Sequence, residues 1–126
     1  MVSITEVMSK ELKKISYTAS IADTAQKMRD EQVGALFIEK NGELVGSVSD
    51  RELVRKAVAE RKDLENTTVE SIMTTPLNSI GATETLLDAQ NKMRELGVRH
   101  LAVREAGTIV GIISVGDLLA YFTWRT

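Results

Sequence analysis

The sequence predicts an α+β fold built from two copies of a β-α-β-β-α unit. The chain repeats itself with an offset of 65 residues, so that residues 3–61 align with 68–126 without a gap. Identical residues fill about a quarter of the aligned positions, among them Lys27-Met28-Arg29 and its counterpart Lys92-Met93-Arg94. Such self-similarity indicates a duplicated structural unit. Because a domain of about sixty residues buries too little surface to be stable alone, we expect the copies to share a core.

The duplication also predicts the domain organisation. The first motif covers 1–61, a short polar linker covers 62–67, and the second motif covers 68–126. We expect the two motifs to pack with pseudo-twofold symmetry into one module. A cleft between two such copies is a common place for a small molecule to bind.

Turn and capping signals set the elements of the first copy. Residues 3–6 (SITE) form a possible capping box before a short helical turn. Ile21, Ala25 and Met28 recur at helical spacing, and Asn41-Gly42 is typical of a tight hairpin turn. The predicted elements are an extended stretch over 12–18, a helix over 20–32, strands over 35–39 and 43–49, and a helix over 50–60.

The second copy repeats this order. Residues 68–71 (TVES) take the place of the first capping box, and Pro76 suits the start of a strand. Gly97 stands where a helix ends in a left-handed residue. The predicted elements are a strand over 77–80, a helix over 85–96, strands over 99–104 and 108–114, and a helix over 116–124. The apolar face of the first helix is expected to contain Leu86, Leu87, Ala89, Met93 and Leu96.

Composition limits the classes of function. The net charge of −2 makes general nucleic-acid binding unlikely. Two basic clusters are better explained as solvated faces; they are Lys10, Lys13 and Lys14, and Arg55, Lys56, Arg61 and Lys62. No apolar run approaches the roughly 20 residues that span a bilayer, so no membrane partner is expected. The absence of cysteine and of a signal-like segment predicts a cytoplasmic protein.

Catalysis is the rival class of function, and the sequence gives it little support. The chain has one histidine and no cysteine, which argues against a zinc site and a thiol nucleophile. Neither a phosphate-binding loop of the Walker type nor a G-x-G-x-x-G motif is present. We therefore predict no catalytic residue, no metal ligand and no catalytic cofactor.

Three motifs occur in order in the second copy, and weaker versions occur in the first. They are 72–76 (IMTTP), 97–103 (GVRHLAV) and 111–118 (GIISVGDL), and their first-copy versions are 7–9, 33–38 and 46–53. With these motifs the chain resembles the CBS domain family in its tandem arrangement, over essentially its whole length. Ala102 and Phe37 stand where the family often has proline, and Phe37 could crowd an adenine site.

The resemblance implies a regulatory or sensor module. Such modules bind adenosine-containing ligands, such as AMP, ADP, ATP or S-adenosylmethionine, in the cleft between the two copies, and they often form disk-like dimers. A ligand-free module for dimerisation or protein interaction is the alternative.

The motif Ser114-x-x-Asp117 is the main candidate for ligand binding. At a strand-to-helix junction it is a capping box. The resemblance adds a second role, in which the Asp117 carboxylate accepts hydrogen bonds from the ribose hydroxyls. The first copy has Ser49 and Glu52 instead. The longer glutamate caps a helix equally well, but it is doubtful as a ribose ligand because such contacts tolerate little displacement.

Arg99 and His100 are candidates for phosphate contact at the start of the next-to-last strand. They could equally be two exposed polar residues. The first copy has Gly34 and Ala35 at these positions and supplies neither side chain. We therefore predict one tight anionic site per chain and a second site that is weak or empty.

Adenine recognition is expected to use backbone groups and apolar walls. The positional candidates are Lys13, Ser16, Asn78, Ile80, Val98, Ile112 and Ile113, although a place in the core or a strand explains each equally well. An apolar cluster at the C-terminus predicts a homodimer contact; its members are Leu118, Leu119, Tyr121, Phe122 and Trp124.

Overall fold

The computed structural model describes residues 2–124, and for Trp124 it describes the backbone alone, so this side chain of the predicted cluster lies outside the described part. The elements are α1 (Ile4–Val7), β1 (Lys14–Ser16), α2 (Ile21–Glu31), β2 (Ala35–Lys40), β3 (Glu43–Ser49), α3 (Asp50–Glu52, followed by a π-helical stretch Leu53–Val58), a 3₁₀ turn (Val69–Ser71), β4 (Ser79–Gly81), α4 (Leu86–Leu96), β5 (His100–Glu105), β6 (Thr108–Ser114) and α5 (Val115–Trp124). Among residues 2–124 no helix has the length and apolar character needed to cross a membrane.

Two three-stranded sheets confirm the predicted α+β class. Their strand orders are β1-β2-β3 and β4-β5-β6. In each sheet the first pair is parallel and the second pair is an antiparallel hairpin. The registers repeat as well, since Ala35 pairs with Ser49 and His100 pairs with Ser114. The end of each hairpin therefore lies beside its beginning, where the next helix starts.

Local chemistry explains the hairpin turns. Asn41 and Gly42 have φ of 53° and 82°, and Ala106 and Gly107 have φ of 50° and 81°. Two successive left-handed residues match the right-handed twist of the flanking strands. The turn predicted at Asn41-Gly42 is confirmed.

The long helices begin and end close to where the capping signals predict. The Ser20 Oγ accepts a hydrogen bond from the backbone N–H of Asp23 (3.0 Å) before α2. Before α4 the Thr85 N–H donates to the Asp88 carboxylate (3.0 Å), which helps to lower the pKa of Asp88. Gly97 ends α4 with φ of 67°, as predicted.

Several predicted strand boundaries are wrong by a few residues. The extended stretch predicted over 12–18 forms a strand only over Lys14–Ser16, and the strand predicted over 77–80 forms over Ser79–Gly81. Pro76 therefore precedes the strand by several residues. Arg99 lies just before β5 and does not begin it.

The segment predicted as an α-helix over 50–60 is only partly α-helical. After the single α-helical turn at Asp50–Glu52, the helix widens into the π-helical stretch, which ends at Val58. There the Ala59 N–H donates to the Val54 carbonyl (2.8 Å), five residues earlier. The wider turn rotates the following side chains relative to a regular helix.

The predicted apolar faces of the long helices are correct only in part. On α2 the buried residues are Ile21, Thr24 and Met28, whereas Ala25 is exposed. Thr24 can be buried because its Oγ1 donates to the Ser20 carbonyl (2.8 Å), so its hydroxyl is satisfied. On α4, Leu86, Ala89 and Met93 are buried, whereas Leu87 and Leu96 are exposed.

The chain folds into two compact units that exchange their opening segments. The described part of Met1–Leu12 packs with that of Asn78–Thr126, and Lys13–Leu77 forms the other unit. In the first of these units, Ser9 exchanges two backbone hydrogen bonds with Ile112 (both 2.9 Å). The segment that opens each sequence repeat therefore packs within the unit that contains most of the other repeat.

A repeated glycine makes room for each opening segment. A Cβ atom on Gly111 would lie 2.5 Å from the Met8 Sδ and 2.7 Å from the Ser9 carbonyl oxygen. A Cβ atom on Gly46 would lie 2.7 Å from the Thr74 carbonyl oxygen. Such close backbone approach requires glycine in a strand.

Each unit has its own core, and each core contains residues of both repeats, as the expectation of shared burial requires. One cluster of buried residues contains Ile4, Ile80, Leu101, Val103 and Ile113, with Ala89, Met93 and Leu118. The other contains Ile21, Met28, Leu36, Ile38, Val48 and Val69. Ile4 and Val69, which occupy equivalent repeat positions, are both fully buried by the exchange.

Candidate functional site

The start of α5 carries the principal candidate residues. The Ser114 Oγ accepts from the backbone N–H of Asp117 (3.1 Å), and the Ser114 N–H donates to the Asp117 Oδ2 (2.9 Å). This reciprocal pair confirms the predicted capping box. Within residues 2–124, no hydrogen bond from the protein reaches the second carboxylate oxygen, Oδ1. Asp117 is half-buried, so this oxygen remains an acceptor for a ligand at the edge of the unit.

Arg99 and His100 lie next to this capping box. His100 pairs with Ser114 in the β5–β6 register, and the Val115 N–H donates to the Arg99 carbonyl (3.0 Å). Arg99 is exposed and His100 is half-buried. The hairpin register thus brings one carboxylate, one guanidinium and one imidazole to the same end of the sheet.

The first repeat has the same backbone geometry at the equivalent place. The Asp50 N–H donates to the Gly34 carbonyl (3.0 Å), just as Val115 does to Arg99. The Ser49 N–H donates to the Glu52 Oε1 (3.0 Å), and the Glu52 N–H donates to the Ser49 Oγ (3.3 Å). Gly34 supplies no side chain for phosphate, which agrees with the asymmetry seen in the sequence.

Unlike Asp117, Glu52 has a donor on both carboxylate oxygens. Its Oε2 accepts from the Lys56 Nζ (2.9 Å) and from the Thr74 Oγ1 (2.5 Å). Lys56 lies four residues further along the helix, a spacing that predicts an ion pair from sequence. Thr74 is distant in sequence, and no local pattern indicates its contact.

The polar candidates for adenine recognition already take part in hydrogen bonds within the protein. Asn78 and Lys13 occupy equivalent places, since the Asn78 carbonyl accepts from the Ala102 N–H (2.9 Å) and the Lys13 carbonyl accepts from the Phe37 N–H (3.0 Å). The Ser16 Oγ is hydrogen-bonded to the Thr18 Oγ1 (2.9 Å), in a local turn.

Burial separates the apolar candidates. The side chains of Ile80 and Ile113 are core residues, at 2% and 0% exposure, so a role as ligand walls is not supported for them. Val98 and Ile112 are half-buried. Phe37, which was considered as an obstacle to adenine, is itself buried at 2% exposure.

The basic clusters are partly neutralised. The Lys14 Nζ pairs with the Glu39 Oε2 (2.7 Å), and Lys56 pairs with Glu52. Over the described residues, no group of three or more His, Cys, Asp or Glu side chains is arranged to hold a metal ion.

Comparison with known proteins gives a consistent result. The family model for the CBS domain matches residues 4–59 and again 69–123. The CBS domain-containing protein YhcV of Bacillus subtilis is 30% identical, over 94% of this chain and 84% of that protein. A solved structure of a protein with CBS domains from Burkholderia ambifaria has a TM-score of 0.94 at 23% identity, covering 99% of this chain and 96% of the other.

A second similar structure belongs to a hexameric protein. The hexameric CBS-CP12 protein from bloom-forming cyanobacteria is 25% identical with a TM-score of 0.85, over 94% of this chain and 70% of that one. The two family-model matches fall on the two sequence repeats, and the two sheets follow the same repeat. The chain therefore belongs to the CBS domain family and carries two CBS domains in tandem.

Proposed function

We propose that this tandem CBS module is regulatory and binds an adenosine-containing ligand at the start of α5. The observation that carries the proposal is the Asp117 carboxylate, which caps the helix with Oδ2 and has no donor on Oδ1 among residues 2–124, at the end of the sheet where His100 pairs with Ser114. A carboxylate held in this way can accept from the two hydroxyls of a ribose, as an acidic residue does in dinucleotide folds.

The neighbouring cationic groups favour a phosphorylated ligand. A guanidinium binds phosphate through two parallel hydrogen bonds, and an imidazole adds a donor that gains charge near neutral pH. Arg99 and His100 supply these groups at the second repeat, whereas Gly34 and Ala35 supply none at the first. One tight site per chain for AMP, ADP or ATP follows, and S-adenosylmethionine is the alternative ligand. The lack of cysteine supports a cytoplasmic location.

Calorimetric titration tests the ligand class. We expect AMP to bind more tightly than adenosine, with one tight site per chain and an affinity that falls as salt rises, because phosphate charge contributes. Arg99→Ala should narrow the difference between AMP and adenosine by about 1–2 kcal/mol, the scale of a charge-assisted hydrogen bond. Arg94→Ala is the control, since Arg94 is exposed on α4 and its side chain hydrogen-bonds only to Asn91 in the described chain.

A thermal-shift screen separates this proposal from the alternative functions. A ligand at 100 times its dissociation constant stabilises the folded state by about 2.7 kcal/mol. A rise in melting temperature with adenine nucleotides supports the proposed nucleotide sensor. A rise with S-adenosylmethionine alone would make S-adenosylmethionine the ligand in place of a nucleotide. No shift with any of these compounds, nor with oligonucleotides, would leave a ligand-free interaction module as the better description.

We also propose that the chain self-associates through the exposed apolar residues of its helices. On α5, Leu119 and Phe122 are 62% and 53% exposed, and Leu87 on α4 is 61% exposed. Apolar side chains exposed to this degree along neighbouring helices favour a protein contact. A twofold homodimer is the simplest assembly that covers them.

Sedimentation tests the assembly. At tens of micromolar the chain should sediment as a dimer, and Leu119→Asp should weaken the dimer by roughly 10-fold or more, because an apolar side chain contributes about 1.5–3 kcal/mol when buried. Thr108→Asp, at an exposed hairpin position, is the control and should leave the dimer intact. A wild-type monomer with and without nucleotide would contradict the proposal.

A further inference from the structure

We infer that Glu52, Lys56 and Thr74 form an internal contact, the Glu52 latch, that occupies the first repeat's equivalent of the ligand carboxylate and so restricts tight binding to the second repeat. The inference rests on the proposed function, because it states which repeat takes the ligand and why. The lack of phosphate ligands at Gly34 and Ala35 is a separate difference between the repeats, because the latch concerns the carboxylate at the ribose position.

The latch gives both oxygens of the Glu52 carboxylate a protein donor. Oε1 accepts from the Ser49 N–H (3.0 Å), and Oε2 accepts from both the Lys56 Nζ (2.9 Å) and the Thr74 hydroxyl (2.5 Å). The Glu52 side chain is only 18% exposed. A ribose hydroxyl that approached Oε2 would have to displace the ammonium group or the threonine hydroxyl, and either group would lose a charge-assisted hydrogen bond.

The latch also joins three parts of one compact unit. Lys56 belongs to the π-helical stretch after α3, and its Nζ donates to the Ile72 carbonyl (3.3 Å) as well as to Glu52. Thr74 exchanges two backbone hydrogen bonds with Ser47 of β3 (2.8 and 3.0 Å). Glu52 is therefore held by residues 72–74, which lie alongside β3, and cannot be exposed without loosening them.

The other compact unit has different residues at all three latch positions. At the offset of 65 residues, Glu52, Lys56 and Thr74 correspond to Asp117, Tyr121 and Ser9. A tyrosine carries no positive charge at neutral pH, and the Ser9 Oγ accepts from the Glu11 N–H (3.4 Å). The Asp117 Oδ1 has no donor among the described residues. Among the described residues, the latch is thus present in one unit and absent from the other.

Exchanging the latch residues between repeats tests the inference. The triple variant Glu52→Asp, Lys56→Tyr, Thr74→Ser gives the unit Lys13–Leu77 the residues that the other unit already carries at the equivalent positions. We expect adenosine titration to change from one site to two sites per chain. Because Gly34 and Ala35 remain, the new site should show no preference for AMP over adenosine. Thr74→Ser alone retains the hydroxyl donor and is the matched control, with one site expected.

Hydrogen exchange tests the contact independently of any ligand. Glu52→Gln removes the charge that attracts the Lys56 ammonium, so the backbone amides of Ser47 and Thr74 should exchange about 10-fold faster, while those of Ser9 and Ile112 should not change. Faster amide exchange in this variant would show that the Glu52 contacts hold residues 72–74 in place, which an ion pair without a structural role would not do.

The outcomes are separable. One adenosine site in a folded triple variant would overturn the restricting role of the latch, and unchanged exchange in Glu52→Gln would overturn the latch as a contact. If the wild-type chain bound no adenosine compound, the proposed function and the restricting role would both fail, and the exchange measurement would still decide whether Glu52 holds residues 72–74.

Discussion

Replacing Ile4 with alanine is expected to lower the free energy of unfolding by about 2–5 kcal/mol, the cost of emptying a well-packed core position. Ile4 is fully buried in the cluster that contains Ile80, Leu101 and Ile113 of the second repeat. Here the exchange of opening segments makes it part of a core.

Urea unfolding followed by circular dichroism measures this effect. Val54→Ala is the control, because Val54 is 60% exposed and its truncation should change stability by no more than about 0.5 kcal/mol. Val69→Ala is the matched variant in the other unit, where Val69 holds the equivalent repeat position. An effect of Ile4→Ala as small as that of Val54→Ala would show that the opening segment does not belong to this core.

The amides that lose protection show which repeat each opening segment packs against. Ile4→Ala should accelerate hydrogen exchange at the Ile112 amide, which donates to the Ser9 carbonyl (2.9 Å). Val69→Ala should instead accelerate exchange at the Ser47 amide, which donates to the Thr74 carbonyl (3.0 Å). The reverse pattern would assign each opening segment to its own repeat.

Local signals predict most of the fold because they depend on neighbours in sequence. Asn41 and Gly42 specify a left-handed turn wherever two strands flank them, and Ser20, Thr85 and Gly97 satisfy helix ends from within a few residues. The exchange of opening segments has no such signal, since Ile4 and Val69 show the same pattern whichever repeat they pack against. Gly46 and Gly111 were visible as a repeated pair, but a glycine in a strand indicates close approach without naming the partner.

Helical faces show where periodicity is insufficient. Ala25 has the spacing of a core residue and is exposed, whereas Thr24 is buried because its hydroxyl bonds to the helix backbone. The π-helical stretch after α3 also has no sequence signature, because it depends on how the next segment packs.

In the candidate site, too, local features can be predicted from the sequence and long-range contacts cannot. Ser114 and Asp117 form a local motif, and the hairpin register then brings Arg99 and His100 beside them, so sequence alone could assemble this group. The contact from Thr74 to Glu52 joins residues far apart in the chain and needs the structure. The length of the glutamate side chain already makes Glu52 a doubtful ribose ligand, and the structure adds that both of its carboxylate oxygens accept hydrogen bonds from the protein.

Asp117→Ala is expected to weaken binding of AMP by about 1.5–3 kcal/mol, the range for hydrogen bonds to a charged group. That corresponds to roughly a 10- to 150-fold rise in the dissociation constant. Asp117→Asn retains an oxygen that can accept from the Ser114 N–H, so it should preserve much of the cap while losing most of the affinity. Calorimetry on both variants separates the ribose contact from the role in capping.

Asp88→Ala provides the matched control for Asp117→Ala. Asp88 occupies the same capping-box position on α4, where it accepts from the Thr85 N–H (3.0 Å), but it lies outside the candidate site. Loss of either aspartate removes one capping hydrogen bond, so both variants should lose a similar amount of stability, about 0.5–1.5 kcal/mol. Only Asp117→Ala should lose affinity for AMP, because only Asp117 belongs to the proposed site. Equal affinities in the two variants would reduce Asp117 to a helix cap and leave the ligand without its principal acceptor.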